Sequence, residues 1–242
     1  MKILALDSTA VVGTVALCED QKLIAHYTLN TGNTHSQTLL PMIESALRSA
    51  EWEIDDLDLF AVSNGPGSFT GVRIGVSVIK GIAFGRGKPC AAVSTLEALA
   101  ENTAGLTGLI CPVMDARRAQ VYNALFERRD GVLHRLTPDR AISIDELAKE
   151  LLRDHGEKPV LLVGDGVAVT RDALAAAGVT LGEVPALLLS QNASAVGRVA
   201  LRMAKNGDTL TDDALRPVYL RQPQAERERL ERLEAEKKNQ AT

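Results

Sequence analysis

The chain has no apolar run long enough to span a bilayer, which excludes a helical membrane anchor. It has no basic excess: 27 Lys and Arg stand against 31 Asp and Glu, for a net charge of −4. A protein that binds nucleic acid unaided carries a basic excess or stripe, so any such role here needs a partner. Cysteine is scarce. Cys18, Cys90 and Cys111 are odd in number and far apart, with no Cys-x-x-Cys, which predicts reduced thiols in a cytosolic core. The histidines His26, His35, His134 and His155 include no HxxxH or HExxH pair, so no protein-built metal site is expected. A G-x-S-x-G elbow is absent, and neither Lys80 nor Lys88 follows a Walker-type glycine loop. The opening "MKILALDSTA" reads as a buried first strand rather than a secretion signal, because Asp7 interrupts it and no cleavage pattern follows.

What is present is ordinary in bulk: 242 residues, 45% hydrophobic and 24% charged, enough for one large domain or two small ones. "KILALD", "GTVALCE" and "KLIAHYTL" read as three strands, the first ending at Asp7. A helix over 35–50 follows, with Leu39, Met42, Ile43, Ala46 and Leu47 at helical spacing. "LDLFAVSN" is a continuous apolar strand, leading into the glycine turn "NGPG", a helix over 69–85 and the strand "PCAAVS". From about residue 108 the order recurs: "LICPVMD" ending at Asp115, then "AQVYNALFE" and "VLHRLT". A helix capped by Ser143 with Glu146 three residues on comes next, then "PVLLV", the turn "GDG" and a helix stopped by Gly178. Asp7 matches Asp115, and "NGPG" matches "GDG". This duplicated βββαβα pattern predicts an α/β protein of two ribonuclease-H-like lobes, each a mixed sheet flanked by helices, as in the actin-like ATPase superfamily. The first lobe is expected over 1–105, rejoined by a helix over about 192–205. The second covers 106–191, and 206–242 form a C-terminal segment with a charged tail.

In that superfamily the turn after each lobe's first strand faces nucleotide phosphate. A phosphate loop needs glycine for close backbone approach. Here Ser8, Thr9 and Ala10 follow Asp7, and Ala116, Arg117 and Arg118 follow Asp115, with no glycine. Asp7 and Asp115 remain the weak candidates for holding magnesium. The plainer reading is that each caps its own turn. An actin-like kinase using these two carboxylates is the alternative that the missing glycines oppose.

The helix over 69–85 carries a nonpolar arc of roughly 220°, about twice what a surface helix buries. One stripe holds Val72, Val76, Ile79 and Ala83; a second holds Gly71, Gly75, Val78, Ile82 and Gly85. Glycines 71, 75 and 81 together lower helix stability by about 3 kcal/mol, so close backbone approach is the expected gain. The helix over 35–50 has an arc of about 160°. Two adjacent helices with spare apolar surface predict association between chains, through Leu39, Leu40, Ile43, Leu47, Gly71, Gly75, Val78 and Ile82.

"GPGSFTGVRIG" (65–75), "THSQTLLP" (34–41), "DARRAQVY" (115–122) and "RPVYLR" (216–221), after an "ILALDST" opening, closely resemble the TsaB family of bacterial tRNA threonylcarbamoyladenosine biosynthesis proteins. The resemblance covers residues 1 to about 221. It implies a degenerate, noncatalytic actin-like paralogue of the catalytic subunit TsaD. Such a chain binds TsaD as a heterodimer and, with TsaE, serves threonylcarbamoyl transfer to the adenosine beside the anticodon of tRNAs reading codons that begin with A. It implies no cofactor bound by this chain alone, ATP used by the complex, tRNA met only through the complex, a cytoplasmic location and a homodimer in isolation. The HxxxH partner of His35 that TsaD would use for metal is Leu39 here. The tail "QAERERLERLEAEKKNQAT" departs from the pattern and is expected to be a solvated helix.

Overall fold

A computed structural model describes residues 1–156 and 158–221; the charged tail lies outside the described residues. The first sheet has the order β3-β2-β1-β4-β5, with β1 at Lys2–Asp7, β2 at Gly13–Glu19, β3 at Lys22–Leu29, β4 at Leu59–Gly65 and β5 at Cys90–Ser94. β1, β2 and β3 form an antiparallel meander, while β4 and β5 run parallel to β1. Side chains alternate across the pleat. Leu4, Leu6, Phe60 and Val62 face α1 (His35–Ala50) and α2 (Phe69–Ala83). Ile3, Ala5, Ala16, Ala61 and Ala91 face α6 (Ala193–Asn206), whose Ala193, Val196 and Ala200 meet them. Small residues on both sides let this helix lie close to the sheet.

The second sheet is built on β6 (Gly108–Asp115), with β11 (Val160–Val163) parallel on one side. On the other side β7 (Gln120–Asn123) pairs the end of β6, and β8 (Phe126–Arg129) pairs its start. The stretch read as one strand, "AQVYNALFE", is therefore two. Pro112 sits between the paired segments and has no N–H for the ladder. The buried Asn123 amide answers the Pro112 carbonyl at 3.0 Å instead. β9 (Val132–Arg135) and β10 (Arg140–Ser143) extend the two edges. α4 (Ile144–His155) starts with the Ser143–Glu146 capping box, and α5 (Val167–Ala176) packs beside it. The β3-β2-β1-β4 arrangement of the first sheet recurs in the second with β7 and β8 in the place of β2, β9 and β10 in that of β3, β11 in that of β4 and no counterpart of β5, which gives the α/β, ribonuclease-H-like duplicated fold.

The helix α3 (Thr95–Asn102) follows the first repeat but packs Leu96, Leu99 and Ala100 on the inner face of the second sheet, against Ile110 and Phe126. α6 does the reverse, following the second repeat and covering the first sheet. The two meet at a charged seam. Glu101, 6% exposed, lies 3.6 Å from Arg128, 3.3 Å from Arg198 and 3.0 Å from Arg202.

Candidate functional site

The ends of β1 and β6 come together at a cleft of about 750 Å³ between the lobes. Asp7 sits behind its wall rather than on it, only 1% exposed. Its Oδ1 accepts from Thr9 N at 2.8 Å and Thr9 Oγ1 at 2.7 Å, and burial pushes its carboxyl above the usual range. Asp115 does line the cleft; its Oδ1 accepts from Arg117 N at 2.7 Å, and its Oδ2 lies 3.3 Å from the Arg117 guanidinium. Both carboxylates thus cap their own turns. The second turn takes an unusual route, with Arg117, Arg118 and Ala119 all at φ between 55 and 65°. Asp165, within "GDG", was not singled out by sequence reasoning. Its surface opens on the cleft, and burial of its surroundings, then the Asp115 and Asp7 carboxylates, push it up to about 6. Its only sequence signal was a position after β11 that mirrors the turn after β4.

The glycines of both turns are used by the chain itself. A Cβ on Gly67 would stand 2.5 Å from the Thr9 carbonyl, and one on Gly71 would strike the Ser8 carbonyl. Gly65, at φ 125°, lies against the Val218 carbonyl, and Gly164, at φ 112°, against that of Val113. Ser68 Oγ caps α2 by accepting from Gly71 N at 3.3 Å. His35 Nε2 donates to the Ala10 carbonyl at 2.7 Å, which fixes its ring as a brace at the start of α1. Arg221 reaches across the cleft mouth to donate to the Ala116 carbonyl at 2.6 Å.

The second feature is a groove of about 530 Å³ between α1 and α2, lined by Ser36, Leu40, Arg73, Ile74, Ser77, Val78, Gly81 and Ile82. The expected interface residues divide here. Leu40, 48% exposed, lies on the groove with Val78 and Ile82. Leu39, Ile43 and Leu47 do not: they are buried in the chain's own core. Gly71 and Gly75 are also corrected. A Cβ on Gly75 would meet Ser8 Oγ at 2.5 Å and Leu6 Cδ1 at 3.1 Å, so its close approach is to β1 and not to another helix. Within the 220° arc the stripe Val72, Val76, Ile79 and Ala83 is buried whole, Gly71 and Gly75 join it against β1, and Val78 and Ile82 are left at the groove. The glycine on the open face is Gly81, with nothing within 4 Å of its missing Cβ.

The family model for TsaD, tRNA N6-adenosine threonylcarbamoyltransferase, matches residues 23–229. The tRNA threonylcarbamoyladenosine biosynthesis protein TsaB of Escherichia coli K12 is 31% identical over 91% of this chain and 95% of its own length. TsaB of Bacillus subtilis 168 is 38% identical over 68% of this chain and 71% of its own. A Pseudomonas aeruginosa crystal structure, of a protein described as similar to the peptidase YEAZ, is 25% identical with a TM-score of 0.75, covering 91% of this chain and 99% of that one. With a duplicated fold and a relative 31% identical over 91% of its length, the chain belongs to the TsaB family of tRNA threonylcarbamoyladenosine biosynthesis proteins.

Proposed function

We propose that this chain is a noncatalytic scaffold subunit. It binds TsaD, and with TsaE forms the cytoplasmic assembly that transfers a threonylcarbamoyl group to the adenosine beside the anticodon of tRNAs reading codons that begin with A. ATP is used by the assembly, and tRNA is met only there. One observation carries the reading. The turns after β1 and β6, which would face a phosphate, carry no glycine, and the glycines of the later turns serve the chain's own close packing against the carbonyls of Thr9, Ser8, Val218 and Val113. The α1–α2 groove is meanwhile left without cover among the described residues. Apolar surface of this kind on a soluble protein marks a contact with another chain. TsaD, as a paralogue of the same fold, offers matching helices, and a second copy of this chain pairs about a two-fold axis when TsaD is absent.

The test is co-purification with the host's own TsaD, then a tRNA modification assay with and without this chain. Modification is expected only with it. The pure chain is expected neither to hydrolyse ATP nor to modify tRNA. Sustained ATP turnover that Asp7→Ala abolishes would overturn the reading in favour of an actin-like kinase.

A further inference from the structure

After α6 the chain returns across the first lobe as a strap. Leu215 is buried with α1 and α2, and Lys80 Nζ donates to the Asp213 and Leu215 carbonyls at 3.2 Å each. Val218 N donates to Asn64 O at 2.7 Å, and Asn64 Nδ2 donates to Arg216 O at 3.0 Å. These bonds hold Tyr219 over the start of α2. Its ring lies 4.6 Å from that of Phe69, centroid to centroid, and its hydroxyl accepts from Arg73 Nε at 2.9 Å. The Arg73 guanidinium also lies 3.9 Å from the Phe69 ring centroid.

Arg73 is the one charged side chain among the eight that line the α1–α2 groove. Held at Nε and against one ring face, it has lost much of its rotamer freedom. Its two terminal nitrogens form no ion pair with any described carboxylate and stand side by side, the geometry that takes a carboxylate in bidentate fashion. We infer that Arg73 is a fixed cation that selects a carboxylate-bearing partner at this groove, with Tyr219 of the strap as its positioning residue. This rests on the groove being the partner surface. The occupant is the TsaD subunit, bearing an Asp or Glu opposite Arg73. A second copy of this chain is the poorer match. Two-fold pairing brings like patches together, and the eight groove residues include no carboxylate. On α1 and α2 the acidic side chain is Glu44, one turn beyond Leu40 and outside the lining.

The experiment measures affinity of the full chain for the host's TsaD at low and high salt, and self-association by sedimentation, with melting temperature as the control for folding. Arg73→Gln is expected to lower TsaD affinity about tenfold to hundredfold and to flatten its salt dependence, with melting unchanged. Tyr219→Phe keeps the ring stack and loses only the hold on Nε; a loss of about severalfold is expected, with the salt dependence retained. Glu44→Gln should leave TsaD affinity as it was. Parent-like affinity and salt dependence in Arg73→Gln, while Val78→Asp abolishes binding, overturns the selector and leaves the partner surface standing. If Val78→Asp also binds normally, the partner surface itself is wrong. If Arg73→Gln and Glu44→Gln both weaken self-association alone, the cation serves a homodimer and the inference is overturned.

Discussion

The two lobes carry the same turn after their first strand and close it in opposite ways. In the first, Asp7 is sealed behind Thr9, and Gly67 and Gly71 bring α2 down on the turn's carbonyls. In the second, Asp115 stays on the cleft wall beside Asp165, and the turn is wound left-handed through Arg117–Ala119. Duplication kept the aspartate as a turn cap in both places. Packing from elsewhere decided whether its charge faces protein or cleft. The lobe with the sealed turn is also the one whose helices α1 and α2 leave a groove open outside.

The most severe way to break this arrangement is at the seam that joins the lobes. Glu101→Ala leaves Arg128, Arg198 and Arg202 without their shared carboxylate, with Arg128 almost wholly buried. Breaking such a buried cluster is expected to lower stability by about 3–5 kcal/mol. Urea denaturation checks it, and a loss below about 1 kcal/mol would show that the seam is solvated and the lobes are held by apolar packing alone.

Next in size is a contrast along α2. Gly71→Leu forces a side chain into the Ser8 carbonyl, for a loss of about 1–3 kcal/mol or more from overpacking. Gly81→Leu meets open space and should leave melting unchanged or slightly raised, since glycine is the weaker helix former. Its effect is expected on partner affinity. Equal melting shifts in the two variants would show that the inner and outer faces of α2 have been misassigned.

The smallest effect concerns the open turn. The folded Asp165 keeps its proton up to about 6, while the unfolded chain releases it near 3.8. Between those values the folded state binds more protons, so stability falls as pH rises across that window. The group opens on the cleft, so solvent screening reduces the effect. Asp165→Asn should flatten the slope of the urea midpoint against pH from about 4 to 6. A slope that persists would move the origin to Asp7, whose carboxyl is displaced in the same direction.

Much of this architecture was legible in order and period. The helix over 35–50, the Ser143–Glu146 capping box and the pairing of Asp7 with Asp115 rest on local rules, which neighbours did not overturn. β10 and α3 were not anticipated, and the break at Pro112 was read through. α3 is nearly all buried because two lobes close on it, a fact that no window of eight residues contains. At the candidate site, Leu40, Val78 and Ile82 line the groove, while Leu39, Ile43, Leu47, Gly71 and Gly75 belong to the core.

By itself the sequence determined the two lobes, the turn-capping aspartates, the lack of phosphate glycines after β1 and β6, and the presence of more apolar helix surface than one sheet covers. These follow from residue type and spacing, which act over a few residues at a time. Only the tertiary structure decided which residues of α2 face inward, that the turn glycines lie against the carbonyls of Ser8, Thr9, Val113 and Val218, and that the strap after α6 brings Tyr219 onto Arg73 at the groove. Those outcomes depend on contacts between residues more than a hundred positions apart in the case of Arg73 and Tyr219, and a helical wheel with a 220° arc has no means of choosing among them.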